Sequence, residues 1–348
     1  MRAAIVEFNW WHDEIIPTLI HALNRMGFFV DVYMPRKAIS ANAMAFARDL
    51  RYQILPTDGL GAAARGTPAR MRRYDLTIAN SIEPDVVLRK VDRMSGPMLA
   101  VVHNAGRIGS DPEFAAFFDS PRRFPIVLWD HLAACLPAGS RGTWAAPVYL
   151  GEVPPQELTA GETNFCIQGT LSFSRRNYGS LLAAVETLGR AASENVRLTF
   201  AGESNFPDGR AFRSCLPAGG APKMDFTAPW VPYTELYRAI AASDFILPLI
   251  DTTAATYAPY FIDKMTTSLA VGIGLCIPSV IHSRLAELYG VAEASICYED
   301  GGLAEAMALA MAMPEGERAL LRERLRKRRD ALLDANEANL RAAVDSVG

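Results

Sequence analysis

The chain opens with RAAIVEF (2–8), NWWHDE (9–14), IIPTLIHALNRM (15–26), a single Gly27 and FFVDVY (28–33). The first block is a short apolar run and the second is polar. The third places apolar residues at helical spacing, Gly27 stops it, and a second apolar run follows. Strand, helix, glycine stop and strand make a βαβ unit. Further runs at 76–79, 98–102 and 126–128 read as buried strands with helices or loops between them, which predicts a parallel sheet covered on both faces.

Between residues 151 and 162 the stretch GEVPPQELTAGE carries two prolines and neither periodicity, a linker signature. The pattern then restarts. Strands are expected at 164–168, 196–201, 245–250, 275–277 and 295–298, and helices at 178–192, at 233–242 and from about residue 266. The class is therefore α/β, with two Rossmann-like halves: an N-terminal domain over 1–150, a linker over 151–162 and a C-terminal domain over 163–313. A last segment, 314–348, reads as a long helix able to pack back on the N-terminal domain. It contains a basic block (Arg322, Arg324, Arg326, Lys327, Arg328, Arg329) beside the leucines Leu320, Leu321, Leu325, Leu332 and Leu333. A core stripe with a solvated basic face is favoured over peripheral contact with the inner membrane surface.

At 348 residues the chain is long for one core and comfortable for two. A net charge of −3 supplies no field for phosphate backbones, so nucleic acid is not expected as a partner. Five scattered cysteines suit neither a disulfide framework nor zinc. The start does not read as a signal peptide and no apolar run is long enough to span a bilayer, so a cytoplasmic location is expected. GLGAAA at 59–64 loosely matches a dinucleotide fingerprint but follows no strong strand, and it lies in an Ala/Gly/Arg-rich loop. No GK[ST], HExxH or GxSxG occurs.

The stretch YAPYFIDKMTTSLAVGIG (257–274) carries the most chemistry. It delivers Lys264 and the hydroxyls of Thr266, Thr267 and Ser268 to the start of an apolar helix. Unpaired N–H groups and the positive dipole end make such a tip an anion cradle, and a diphosphate fits it. The competing reading is an ordinary N-cap at Thr266 with Lys264 in solvent.

Around this stretch the order of motifs resembles the donor domain of GT-B glycosyltransferases. The matching pieces are FCIQG (165–169), SRRNY (174–178), VRLTFAGE (196–203), DFT (225–227), YTELY (233–237), ASDFILP (242–248), SLAVG (268–272) and CIP (276–278). The resemblance covers residues 163–300 well and the N-terminal half in outline. It implies two Rossmann-like domains facing across a cleft and transfer of a sugar from a nucleotide-diphosphate sugar, with no further cofactor. The acceptor would be a glycan, a lipid-linked glycan or a protein. It also implies that Arg175 or Arg176, with Thr266 to Ser268 and Lys264, holds the diphosphate. Gly169, Glu203, Trp230, Val231 and Tyr257 fall where the base and ribose are bound; Trp230 reads equally as core.

The glutamate pair of many retaining members is replaced here by Pro259 and Thr267, and the hydroxyl-rich helix start resembles that of inverting members; acidic pairs suited to a catalytic metal are absent at strand ends, so no metal is expected. Inversion needs a base to deprotonate the acceptor. Candidates follow strands: His12 and Asp13 after the first, His103 after 98–102. Asp13 reads equally as a helix N-cap, and His103 as a structural histidine. Trp10, Trp11 and Glu14 fall where an acceptor sugar would stack or bond, or else the tryptophans pack the domain interface. Two alternatives remain: a sugar-nucleotide epimerase-like enzyme, or a non-catalytic binding or scaffold protein of degenerate GT-B fold.

Overall fold

A computed structural model describes residues 1–9, 12–57, 73–94, 96–139, 141–157, 161–193, 195–215, 222–228 and 231–347. The 59–64 motif and most of its loop lie outside them. The chain divides into two compact units.

The first unit comprises Met1–Glu152, Ile262–Met265 and the chain from Ala331 onward. In order its elements are β1 (Arg2–Val6), α1 (Ile16–Arg25), β2 (Phe29–Met34), α2 (Arg36–Ala41), β3 (Tyr52–Pro56), β4 (Leu76–Ala79), α3 (Asp85–Val91), β5 (Met98–Val102), α4 (Gly106–Ser110), α5 (Pro112–Phe118), β6 (Arg123–Val127) and β7 (Thr143–Trp144). The strands form one parallel sheet in the order β3-β2-β1-β4-β5-β6-β7. β1 pairs with β2 from Arg2↔Phe29 to Val6↔Tyr33, and on its other side with β4 from Ala3↔Leu76 to Val6↔Ala79. Their branched apolar side chains are buried on both faces, as parallel strands require. The order reverses direction between β1 and β4, and such a switch point opens a crevice at the strands' C-terminal ends.

The second unit comprises Val153–Phe261 and Thr266–Asp330. It holds β8 (Thr163–Gln168), α6 (Tyr178–Ser193), β9 (Val196–Ala201), α7 (Pro207–Ser214), β10 (Lys223–Phe226), α8 (Tyr233–Ala241), β11 (Phe245–Ile246), α9 (Thr267–Gly274), β12 (Val280–His282), α10 (Ser283–Tyr289), β13 (Ile296–Tyr298), α11 (Leu303–Ala312) and the first half of α12 (Glu315–Val347). A parallel sheet runs β10-β9-β8-β11, with β12 and β13 as a parallel pair. Here the switch point lies between β8 and β11. Phe165, Leu198, Phe200, Tyr178, Phe212 and Phe245 fill the core; the Phe200 and Phe226 rings stack 4.6 Å apart.

Several expectations need correction. The strand expected at 275–277 is instead a turn, because Cys276 takes φ 56, and the next strand is β12. β11 stops after two residues rather than reaching 250. Residues 262–265 count with the first unit instead of the second, and so do the residues of α12 from Ala331, part of the helix read as able to pack back on the N-terminal domain. The stretch 153–157 of the expected linker packs in the second unit, where Gln156 N donates to Arg238 O at 3.1 Å; residues 158–160 lie outside the described set.

Along α12, Leu321, Leu325, Leu332 and Leu333 are buried as a stripe, but Leu320 is 51% exposed. The arginines of the basic block are used locally. Arg322 lies near Asp244 and Glu315, and Arg324 bonds the Glu293 carbonyl. Arg326 pairs with Glu323, Arg328 with the Tyr289 carbonyl and Arg329 with Asp330. Among the described residues no helix is long and apolar enough to cross a membrane.

Candidate functional site

Each sheet presents a polar site at its switch point. In the first unit, Glu7 directly follows β1 and is fully buried. Its Oε1 accepts from Asn9 N at 2.6 Å and its Oε2 from Asn80 Nδ2 at 2.6 Å. Burial drives its carboxyl well above the ordinary range; these two bonds offset only part of that. Asn80, directly after β4, also donates through Nδ2 to the His12 carbonyl at 2.6 Å. One amide thus ties the loop after β1 to the switch point, and His12 is held there at φ 74.

The His12 ring lies against His103, with centroids 3.8 Å apart and planes at 34°. Burial lowers His12 to about 4. It also holds His103 well below its ordinary value; nearby His12 adds to this, and a bond to the Asn80 backbone works against it. Both rings are therefore neutral at neutral pH, and a neutral imidazole can accept a proton. His103 Nε2 is buried with no hydrogen-bond partner among the described residues.

Asp13 lies on the same loop. Helix α1 starts at Ile16 with Pro17 in its first turn, and its cap position falls on Ile15. The Asp13 side chain is completely buried. Glu14 is half-buried on the same loop. Trp10 and Trp11 lie outside the described residues. Lys264 is exposed and belongs to this unit, forming an antiparallel bridge with Asn104, while Ala105 N donates to Asp263 O at 3.2 Å.

In the second unit Gly169 (φ +108) directly follows β8 and Gly202 directly follows β9. The two backbones nearly touch: a Cβ on Gly202 would sit 2.6 Å from the Gly169 carbonyl carbon and oxygen. Gly202 N donates to Thr227 Oγ1 at 2.9 Å, fixing the end of β9. Over Gly169 lies the guanidinium of Arg176, its NH2 3.0 Å from where a Cβ would be. Arg176 is 7% exposed, its Nε has no hydrogen-bond partner, and no carboxylate among the described residues lies within ion-pairing distance. Arg175, in contrast, is exposed. Asn177 anchors the loop, its N donating to Leu249 O at 2.7 Å and its Nδ2 to Asp251 Oδ2 at 2.7 Å.

The helix tip at 266–268 is only partly open. Thr266 N donates to the Tyr289 hydroxyl at 2.8 Å, and Thr266 Oγ1 and Ser268 Oγ share a hydrogen bond of 2.8 Å, both residues being buried. The two hydroxyls satisfy each other instead of facing outward. Thr266 makes no side-chain cap either. Half-exposed Thr267 is the hydroxyl left on the accessible side. Glu203 Oε1 accepts from Asn205 N at 3.0 Å, Val231 is half-buried, and Tyr257 is buried with its hydroxyl donating to Phe173 O at 3.1 Å. Trp230 lies outside the described residues.

The sequence singled out His12, His103, Gly169 and Arg176, which lie at these two switch points; Glu7 and Asn80, which lie beside the first two, were not among its candidates. A charged residue directly after an apolar strand, as at Glu7, was the available signal.

No protein-family model matches the chain, and no curated protein matches it in sequence. Its structure is similar along almost its whole length to solved glycosyltransferases. Glycosyltransferase VinC, solved with DTDP, is 12% identical at a TM-score of 0.52, covering 99% of this chain and 100% of that one. The Anabaena protein Alr3699/HepE, solved with UDP-glucose, is 12% identical at 0.64, with 99% and 100% covered. An alpha-glucosyltransferase solved with UDP and a mismatched 13-mer DNA is 10% identical at 0.60, with 96% and 94% covered. The chain has the α/β fold of the GT-B glycosyltransferases.

Proposed function

We propose that the protein transfers a sugar from a nucleoside diphosphate sugar to a hydroxyl of a glycan, lipid-linked glycan or protein, with inversion and without a metal. The observation that carries this reading is Arg176, a buried cation at the second sheet's switch point with no carboxylate partner among the described residues. An unpaired buried charge is costly, and a bound diphosphate removes that cost. The N–H groups at the start of α9 and the Thr267 hydroxyl add donors of the right polarity.

In the reaction the acceptor hydroxyl attacks the anomeric carbon, its proton passes to an imidazole nitrogen of His12, and the bond to the diphosphate breaks. His12 takes this role because its ring is partly accessible on the loop after β1, whereas the Asp13 side chain is fully buried. Negative charge grows on the leaving diphosphate, and fixed donors aimed at it lower the barrier. UDP and DTDP are the nucleotides bound in two similar structures, so they are the first probes.

In calorimetry with UDP and DTDP, Arg176→Ala should weaken binding by about tenfold or more, the loss of a charged hydrogen bond of roughly 1.5–3 kcal/mol. Arg175→Ala should weaken it much less. Unchanged affinity in a folded Arg176→Ala protein would remove the donor-site assignment.

A further inference from the structure

Glu83 lies past the end of β4, in the same polar stretch as Asn80. Its Oε1 accepts two backbone N–H groups, His103 N at 3.1 Å and Asn104 N at 3.0 Å. Its main-chain carbonyl accepts from Asn9 Nδ2 at 2.6 Å. Asn9 lies in the loop after β1 that carries His12, and His103 and Asn104 form the turn after β5. One residue therefore bonds both the His103 turn and Asn9, through different groups. We propose that Glu83 is the positioning residue of the first unit's site: its carboxylate fixes the turn that carries His103 and so sets the contact of that ring with His12.

Three observations support this. Glu83 Oε2 is buried with no hydrogen-bond partner, and no cation among the described residues pairs with the carboxylate; nearby Arg107 is taken by Asp85 and Asp111. Burial accordingly raises its pKa despite the bonds to His103 and Asn104. A carboxylate with one oxygen buried and unpartnered costs stability, and this one stands beside the two stacked imidazoles. Rings 3.8 Å apart are also sensitive to small shifts, since a slip of about 1 Å at either loop separates them.

The catalytic meaning of this role rests on the transferase reading above; the bracing itself does not. The test uses full-length protein carrying Glu83→Gln or Glu83→Ala. Gln keeps an acceptor oxygen for the two N–H groups, and Ala removes it. The first readout is the His12 titration followed by NMR. It should stay near its low wild-type position in Glu83→Gln and move up toward about 6.5 in Glu83→Ala, as the released His103 turn draws its ring off His12 and lets water reach it. The second is hydrolysis of UDP-glucose. In Glu83→Ala kcat should fall by roughly 10- to 100-fold with KM nearly unchanged, and Glu83→Gln should restore it. Should Glu83→Ala not fold, Glu83→Asp, whose shorter arm draws the oxygen back from both N–H groups, takes its place. An unmoved His12 titration in the truncated variant, or a Gln variant as damaged as Ala, overturns the proposal. If the wild type neither binds UDP nor hydrolyses UDP-glucose, the transferase reading fails, and the titration still decides the bracing.

Discussion

His12 combines a positive φ, a carbonyl tied to Asn80 and a ring packed on His103, so its protonation is set by the fold more than by its own chemistry. Its pKa is lowered to about 4, so protonation favours the unfolded chain, where the value is near 6.5. Its contribution to stability is therefore present above about 6.5 and is lost as pH falls toward 4. Glu7 and Glu83 have the opposite sign: their raised pKa values make the folded state bind protons more readily, so their contribution is full below the ordinary carboxylate range and fades as pH rises. Removing His12 isolates the first effect. In denaturant titrations from pH 4 to 6.5, His12→Gln should lose less stability on acidification than the wild type; equal slopes would mean that the ring titrates normally. The histidines were legible because an imidazole after a strand is a recognisable candidate. Their supports were not, since Asn80 and Glu83 look like ordinary loop residues until the sheet places them beside β1 and β5.

Elements were legible where periodicity was strong and ends were marked by glycine. β4 and β5 fall where their apolar runs place them, and β9 ends at the residue before Gly202. The failures have local causes. Residues 275–277 are as apolar as a strand, but a positive φ at Cys276 is a backbone property that composition does not reveal. β3 and β7 were missed because their exposure alternates little or their length is two residues. At the α9 tip the three hydroxyls could be counted, but their directions depend on Tyr289, which packs from another helix. Close approach at β8 and β9 gives a prediction at this scale. Gly202→Ala forces a methyl into the Gly169 backbone and should cost about 1–3 kcal/mol in chemical denaturation, a typical overpacking penalty. It should also weaken UDP binding, because Gly169 carries the surface under Arg176.

For the whole molecule, the placing of residues 262–265 with the first unit was not legible, because four residues carry no periodicity that assigns them to a core. Asn336 shows how the last stretch is held. It is fully buried, its Oδ1 accepts from Ala146 N at 2.8 Å, and its Nδ2 donates to Ala146 O at 2.9 Å. Around it Leu332, Leu340, Ala343 and Val347 are buried, and Arg25 pairs with Asp334 and Glu337. Asn336→Ala strands a buried N–H and a buried carbonyl, and should lower unfolding free energy by about 2–4 kcal/mol. A thermal melt that does not move would show that water replaces both bonds.

The first unit's dependence on residues after Ala331 also bears on how the protein is made. A ribosome delivers β1 to β7 well before the helix that closes over Ala146. Those strands must wait, with apolar surface uncovered, through the synthesis of everything between, and nascent domains in that condition are natural clients for chaperones.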